Sequence, residues 1–209
     1  MKVSSPRDAT PSDASTVSER ILATAIRLFR QRGYHGTSVR ELASAVGLET
    51  ASLYYHYPSK QAILFSLFQR TMRDLVDGIR RAIGSGADPV LQLTAAVRFH
   101  VDFHVVRQEE AFVSHSELRA LDPAQHQRII EQRDRYQEAL CDVLRAGVAQ
   151  GHFAIDDVQV TATAILTMCS GVSDWFGAHG RLTGGQIADR YVELVLRMVL
   201  ASRFGAVEP

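Results

Sequence analysis

One stretch, Thr37–Lys60 (TSVRELASAVGLETASLYYHYPSK), constrains this chain more than any other. It reads as two short helices joined by a tight turn. Ser38 and Glu41 have the Ser-x-x-Glu spacing of a capping box, in which each side chain satisfies an orphan backbone N–H at a helix start. Leu42, Ala45 and Val46 then share one face. Gly47 supplies the positive φ at which that helix can stop. Leu48 and Leu53 anchor a second short helix, which Pro58 ends because the residue before a proline avoids the α region. Two short helices with a glycine in the turn form the helix-turn-helix pattern, whose second helix enters the major groove of DNA.

The second helix carries Thr50, Ser52, Tyr54, Tyr55 and His56 within seven positions. A helix this short cannot bury so many polar tips, so most of them must point outward. Short hydroxyls near its start suit base edges, whereas Tyr, His and Lys further on suit phosphate oxygens. Ser59 can cap the following helix, placing Lys60 beside the free N–H groups of a first turn as an anion site. The alternative is an ordinary helical hairpin with a polar face.

The segment closely resembles the DNA-binding domain of TetR-type transcriptional regulators. The likeness rests on GTSVRELA at Gly36–Ala43, AVGL at Ala45–Leu48 and SLYYHYPSK at Ser52–Lys60, and reaches back to Ala25, Leu28, Phe29, Gly33 and Tyr34. It covers roughly the first third of the chain. The resemblance implies that Thr37, Ser38 and Arg40 touch DNA backbone or an outer base, that Thr50, Ala51 and Ser52 face bases, and that Tyr54, His56 and Lys60 grip phosphates. Glu49 departs from it, standing where the family often has a small capping residue. A carboxylate there suits a helix N-terminus but repels phosphate.

The remaining sequence fits a body built to serve such a head. Lys plus Arg and Asp plus Glu both total 23, yet residues 1–60 carry eight basic and five acidic side chains against fifteen and eighteen in the rest. A mildly basic head on an acidic body is consistent with DNA binding by the head alone. Met1–Ser15 is rich in Ser, Pro, Asp and Ala without an apolar core and reads as a disordered tail rather than a signal peptide. Cys141 and Cys169 lie inside apolar helical patterns and read as buried free thiols in a reducing cytoplasm. No run approaches the ~18 apolar residues of a membrane span.

Helical periodicity runs through the whole chain, and the fold class is all-α: a three-helix head over 16–60 and a body of about six helices over 61–205. The first helix is expected from Thr16, capped with Glu19, to Gly33. A long helix from Ser59 to about Ile83 has the reach to begin in the head and finish in the body, the part the corresponding helix plays in the family. Further helices are expected from Asp88-Pro89 to about Arg107, from Glu109 to Leu121, and from Asp122-Pro123 to about Gln150. Two more run from Val158 to Trp175 and from Thr183 to about residue 202. The segment Ala162–Phe176 is apolar or small all round, which calls for cover on more than one side. A homodimer in which the last two helices meet their copies, with Ile165 and Leu194 at the interface, answers that need and matches a palindromic double-stranded operator.

Chemistry in the body points to a binding pocket. The helices at 88–107, 109–121 and 123–150 mix Phe99, Phe103, Phe112 and Tyr136 with His100, His104, His115, Arg119 and Arg133, the blend of apolar wall and few polar groups that a small-molecule site needs. His100 and His104 are four apart on one face, a metal-ligand spacing, but neither an HExxH motif nor a cysteine cluster accompanies them, so no metal is assigned. No nucleophile motif, P-loop or dinucleotide turn occurs; the chain reads as a non-enzyme without a cofactor. ELRAL at Glu117–Leu121, RDRY at Arg133–Tyr136, GHF at Gly151–Phe153 and GVSDWF at Gly171–Phe176 resemble the actinobacterial branch of the family, which includes lipid- and steroid-catabolism repressors that sense acyl-CoA thioesters. That resemblance implies an acyl-CoA effector, with Phe99, Phe103, Phe112, Met168 and Trp175 lining an acyl tunnel and Arg119, Arg133, Arg135, Arg145 and Arg181 offered to phosphates. An uncharged aromatic inducer would use the same aromatics and ignore the arginines. A helical DNA-binding regulator with no small-molecule inducer, controlled by a protein partner or constitutive, remains the other reading.

Overall fold

A computed structural model of the chain describes the backbone of residues 11–86, 88–177 and 180–200, and side chains from residue 16 onward. Among the described residues it is helical throughout, the sole extended pairing being an isolated antiparallel bridge between Phe153 and Leu200. Three helices make the head: α1 (Pro11–Arg32), α2 (Val39–Val46) and α3 (Thr50–His56). The body follows with α4 (Lys60–Ile83), α5 (Pro89–Val106), α6 (Gln108–Ser116), α7 (Pro123–Ala149), α8 (Val158–Ser170), α9 (Val172–Trp175) and α10 (Gly184–Val199).

Local chemistry sets these boundaries. Ser59 Oγ accepts from the Ala62 N–H at the head of α4, Asp88 and Asp122 each cap a helix whose first residue is proline, and Asp157 caps α8. Thr183 and Gln186 close a reciprocal capping box on α10. These side chains meet N–H groups that have no partner inside their own helix.

Three expectations need correction. Helix α1 starts at Pro11 rather than Thr16, so Thr16 lies inside the helix and is not its cap; proline suits a first helical position because its missing N–H would be an orphan there. Met1–Thr10, the rest of the expected tail, lies outside the described residues. The helix expected over 109–121 stops at Ser116 and tightens into a 3-10 turn at Leu118–Ala120. Likewise the helix expected over 158–175 breaks at Gly171, dividing α8 from α9.

Helix α4, 24 residues long and so about 36 Å from end to end, joins head to body. Its buried residues Ile63, Leu64, Leu67 and Phe68 belong to the same apolar cluster as Phe29, Leu42 and Leu53 of the head and Leu93, Val97 and Leu144 of the body. Helix α5 lies at the centre of the body, packed by α4, α7, α8 and α10. Ile165 is buried in this core, so it is not the interface residue expected of it; the exposed apolar side chains of the last helices include Val160, Met168, Trp175, Leu194 and Met198.

Gly78 marks the closest approach of α4 to α5. A Cβ at that position would lie 2.0 Å from the Phe99 ring. Gly78→Ala should therefore destabilise: overpacking costs about 1–3 kcal/mol, more than the ~1 kcal/mol gained in helix propensity. A thermal melt should show a fall of a few degrees, and a rise would mean that Phe99 swings aside freely.

Candidate functional site: a reading head and an internal cavity

The head is held in shape by polar contacts around the α1–α2 turn. Ser38 Oγ accepts from the Glu41 N–H at 3.2 Å, while the Ser38 N–H donates to Glu41 Oε2 at 2.8 Å. That second bond is the main cause holding the Glu41 carboxyl below its ordinary pKa. Gly47 adopts φ 78°, and the Leu48 N–H reaches back to the Ala43 carbonyl. Leu42, Ala43 and Val46 are the buried face of α2; Ala45, expected there, is exposed.

Two residues expected at the DNA do internal work instead. Thr37 is buried, and its hydroxyl donates to the Gly33 carbonyl at 2.9 Å; its side chain is not at the surface. Lys60 Nζ donates to the carbonyls of Tyr34 (2.8 Å) and Thr37 (2.7 Å) and stands 4.2 Å from the Tyr34 ring centre. Those carbonyls lie past the end of α1, where no helical N–H reaches them, so an ammonium with three donors is a fitting partner. Desolvation by this burial lowers the pKa of Lys60. Lys60 thus braces α4 against the head.

Helix α3 carries the most exposed side chain of the head's described large hydrophobic residues, Tyr55. Leu53 is fully buried and pins it to the head, whereas Ala51, Ser52 and Tyr54 are exposed and Tyr55 is 84% exposed. Thr50 and His56 are half-exposed, and Ser38 and Arg40 of the neighbouring α2 start are exposed as well. Glu49 occupies the N-cap of α3 and makes no capping bond with its side chain.

The body encloses a cavity of about 460 Å³. Helix α4 gives it Thr71, Met72 and Leu75; α5 gives His100, Phe103 and His104; α6 gives Ala111, Ser114 and His115. Helix α7 contributes Arg133, Tyr136 and Gln137, and the α8–α9 corner contributes Leu166, Thr167, Ser170, Gly171 and Asp174. Six of the residues expected at a ligand site therefore share one wall system: His100, Phe103, His104, His115, Arg133 and Tyr136. Five do not. Phe99 packs on Gly78, Phe112 lies under the Arg30 guanidinium of α1 at 3.6 Å, and Arg119, Met168 and Trp175 face outward. Arg135 lines a separate, more open cleft of about 470 Å³ at the far end of α4, next to Arg80, Glu138 and Asp142. Arg145 pairs with Glu138 and Asp142 on the same side, and Arg181 is exposed outside the cavity wall.

The cavity interior is polar, and its groups are ordered. His100 Nδ1 lies 2.7 Å from the Tyr136 hydroxyl and its Nε2 3.0 Å from Ser170 Oγ. His104 Nδ1 lies 2.8 Å from the His100 carbonyl, its ring stacked on that of His100 with centroids 4.2 Å apart and on that of His115 with centroids 5.8 Å apart. Burial is the main cause that lowers the pKa of His100, and it brings that of His104 to about 4, so both imidazoles are neutral at ordinary pH. Among the described residues no three His, Cys, Asp or Glu side chains gather as metal ligands. Arg133 is the cation in the wall: half-buried, it donates through Nη2 to the Ser114 carbonyl at 2.8 Å and has no carboxylate partner among the described residues.

A buried ionic knot adjoins the cavity. Glu110, 6% exposed, receives both arms of Arg107 at 2.8 and 2.9 Å and lies 3.6 Å from Arg70. The Thr71 hydroxyl, on the cavity wall, is 2.6 Å from the same carboxylate. Arg107 also holds Asp74 at 2.7 Å. Sequence reading passed over Thr71, Met72 and Leu75 because they fall in the core stripe of α4; the one signal was a hydroxyl in an otherwise apolar stripe.

Comparison with known proteins places this arrangement. A profile of the tetR family of bacterial regulatory proteins matches residues 21–67, and one of the tetracyclin repressor-like C-terminal domain matches residues 86–199, more than half the chain. The chain belongs to the TetR family. With that membership goes the class of a helix-turn-helix, DNA-binding transcriptional repressor. The transcriptional repressor KstR2 of Mycolicibacterium smegmatis is 26% identical over 202 residues, covering 93% of this chain and 96% of its own. A TetR-family regulatory protein from Rhodococcus RHA1 superposes with a TM-score of 0.84 at 30% identity, covering 89% of this chain and 98% of that one. AibR, solved in complex with isovaleryl coenzyme A and operator DNA, matches with a TM-score of 0.78 at 30% identity, covering 85% and 97%. No helix of the described TetR-family chain is long and apolar enough to cross a membrane.

The two roles assigned in the head give separable outcomes. Lys60→Ala should lower the melting temperature and weaken binding to every DNA sequence about equally, because it removes the brace under the head. Ser52→Ala should leave the melting temperature alone and cost about 1–3 kcal/mol on a cognate site, with little effect on random DNA. Mobility shifts on both DNAs, with a thermal melt of each variant, check this; a Lys60→Ala protein that melts like wild type would remove the brace.

Proposed function

We propose that this TetR-family member is a cytoplasmic, ligand-responsive repressor that binds a palindromic operator as a homodimer and leaves it when an acyl-CoA fills the body cavity. We assign DNA binding to residues 16–60 and effector binding and dimerisation to 61–205. In the head, Thr50, Ala51 and Ser52 are the base readers. Tyr54, Tyr55 and His56 take phosphates, helped by Ser38 and Arg40.

The observation that carries the proposal is the shared use of α6. Its Ser114 and His115 wall the cavity, while its Phe112 holds Arg30 of the head. The next turn is tied to the head too, through Tyr34 to Gln61 (2.6 Å) and Gln61 to the Ala120 carbonyl (3.0 Å). An effector that displaces α6 must therefore disturb the seat of α1. A two-fold dimer reads two half-sites one helical turn apart, so a small change in head spacing is enough to lose one of them. Such a ligand needs differential affinity for the two spacings.

The acyl-CoA assignment is supported by AibR, which was solved with isovaleryl coenzyme A, and by Arg133. A half-buried guanidinium without a carboxylate is well placed for a thioester or phosphate oxygen. Dimerisation is supported by the apolar stripe of α8 and α10, where Met168, Leu194 and Met198 stand exposed.

Two measurements test the proposal. Genomic fragments selected by the protein should share a palindrome, and acyl-CoA should release them where free fatty acid and free CoA do not; Arg133→Gln should blunt that release. Indifference to every thioester would reject the effector class, and a thermal-shift screen without any stabilising ligand would favour a regulator with no small-molecule inducer. For the dimer, Leu194→Asp should give monomers by light scattering, because a carboxylate sealed in an apolar interface is strongly unfavourable. A dimeric Leu194→Asp protein would place the interface elsewhere.

A further inference from the structure

We infer that the acyl group recognised by this cavity carries a hydroxyl near its thioester, and that His104 is the residue that selects it. The inference rests on the thioester reading above. It starts from the tautomer of His104. The His100 carbonyl can only accept a hydrogen bond, so His104 Nδ1, 2.8 Å away, must carry the proton. A neutral imidazole protonated at Nδ1 has a bare lone pair at Nε2. That atom has no protein partner among the described residues, and His104 is 3% exposed on the cavity wall. Stacking on His100 and on His115 holds the ring against rotation.

The other polar groups of the interior differ in kind. Tyr136, Ser170 and Ser114 are hydroxyls, which donate or accept as their neighbour requires. The His100 relay has two ends. If the Tyr136 hydroxyl donates to Nδ1, then Nε2–H donates to Ser170 and the Ser170 proton is left over; the reverse order leaves the Tyr136 proton. Ser114 Oγ is buried and unpaired in the protein. The Asp174 carboxylate, also on the wall, is a second fixed acceptor but is exposed; among the buried groups His104 Nε2 alone is fixed as an acceptor, and only a donor satisfies it.

An unsubstituted acyl chain would cover His104 and Ser114 and leave both unpaired, the expensive case for buried polar groups. A ketone would take a proton from Ser114 or the relay but set its own lone pairs against His104. A hydroxyl donates to Nε2 and accepts from a neighbouring hydroxyl with the same oxygen. Arg133, on the Ser114 carbonyl at 2.8 Å, and His115, stacked on His104 at 5.8 Å, adjoin this acceptor, so a thioester held by Arg133 puts the hydroxyl only a few carbons away along the acyl chain.

The test is calorimetric binding to the full-length protein without DNA, using three thioesters of one skeleton: decanoyl-CoA, the same chain hydroxylated at its third carbon, and the ketone at that carbon. The hydroxylated thioester should bind about tenfold tighter than either of the others. His104→Leu should level the three affinities. Ser114→Ala, a milder change, should weaken only the hydroxylated ligand. If decanoyl-CoA or the ketone binds as tightly as the alcohol, the inference is overturned and the thioester reading stands. If the preference survives in a folded His104→Leu protein, the selecting role of His104 is overturned. Binding of none of the three overturns the inference and the thioester reading together.

Discussion

A carboxylate buried between cavity and head carries the architecture. Glu110 is nearly sealed from water, and an ion in such a place persists only with close counter-charges and hydrogen bonds. Arg107 supplies a bidentate pair from one residue-turn away, Arg70 a second cation from α4, and Thr71 a hydroxyl from the cavity wall. Three segments are thereby fixed to one point: the α5–α6 corner, the middle of α4 and the wall of the cavity. None of these can shift far without disturbing a charge that has nowhere else to go.

The consequence is that α4 and α6 each serve two regions. Helix α4 has its first turn braced against the head by Lys60 and its middle in the cavity wall at Thr71, Met72 and Leu75. Helix α6 turns Ser114 toward the cavity and Phe112 toward Arg30. Head and body share one continuous apolar cluster along these helices. Densely packed interiors resist gradual deformation and pass a displacement on, which is the mechanical basis of the coupling we propose between the cavity and the head.

Much of this was legible in the sequence because it depends on local chemistry. The capping boxes at Ser38–Glu41 and Thr183–Gln186, the Asp-Pro helix starts and the positive φ of Gly47 are written in adjacent residues. The exposure of Ser52, Tyr54 and Tyr55 followed from the shortness of α3. What escaped depends on three-dimensional neighbours. Periodicity put Phe99 and Phe112 among the aromatics of a pocket, but Phe99 meets a glycine on α4 and Phe112 meets an arginine from the head. Thr37 and Lys60 looked like surface groups, and only the fold shows the carbonyls of Gly33, Tyr34 and Thr37 that claim them. Met168 of α8 and Trp175 of α9 lie in a segment apolar or small all round, where the pattern cannot tell the cavity side from the outward side.

The central claim, that cavity and reading head share one equilibrium, is tested most directly by measuring coupling from both ends. The affinity of the protein for its operator fragment is determined with and without a saturating acyl thioester, and the affinity for that thioester with and without the operator. Reciprocity requires the two ratios to agree, and effective regulation calls for a factor of about 5–150. The account predicts equal factors in that range, each ligand weakening the other. A thioester that binds the cavity equally well on free and operator-bound protein would contradict it.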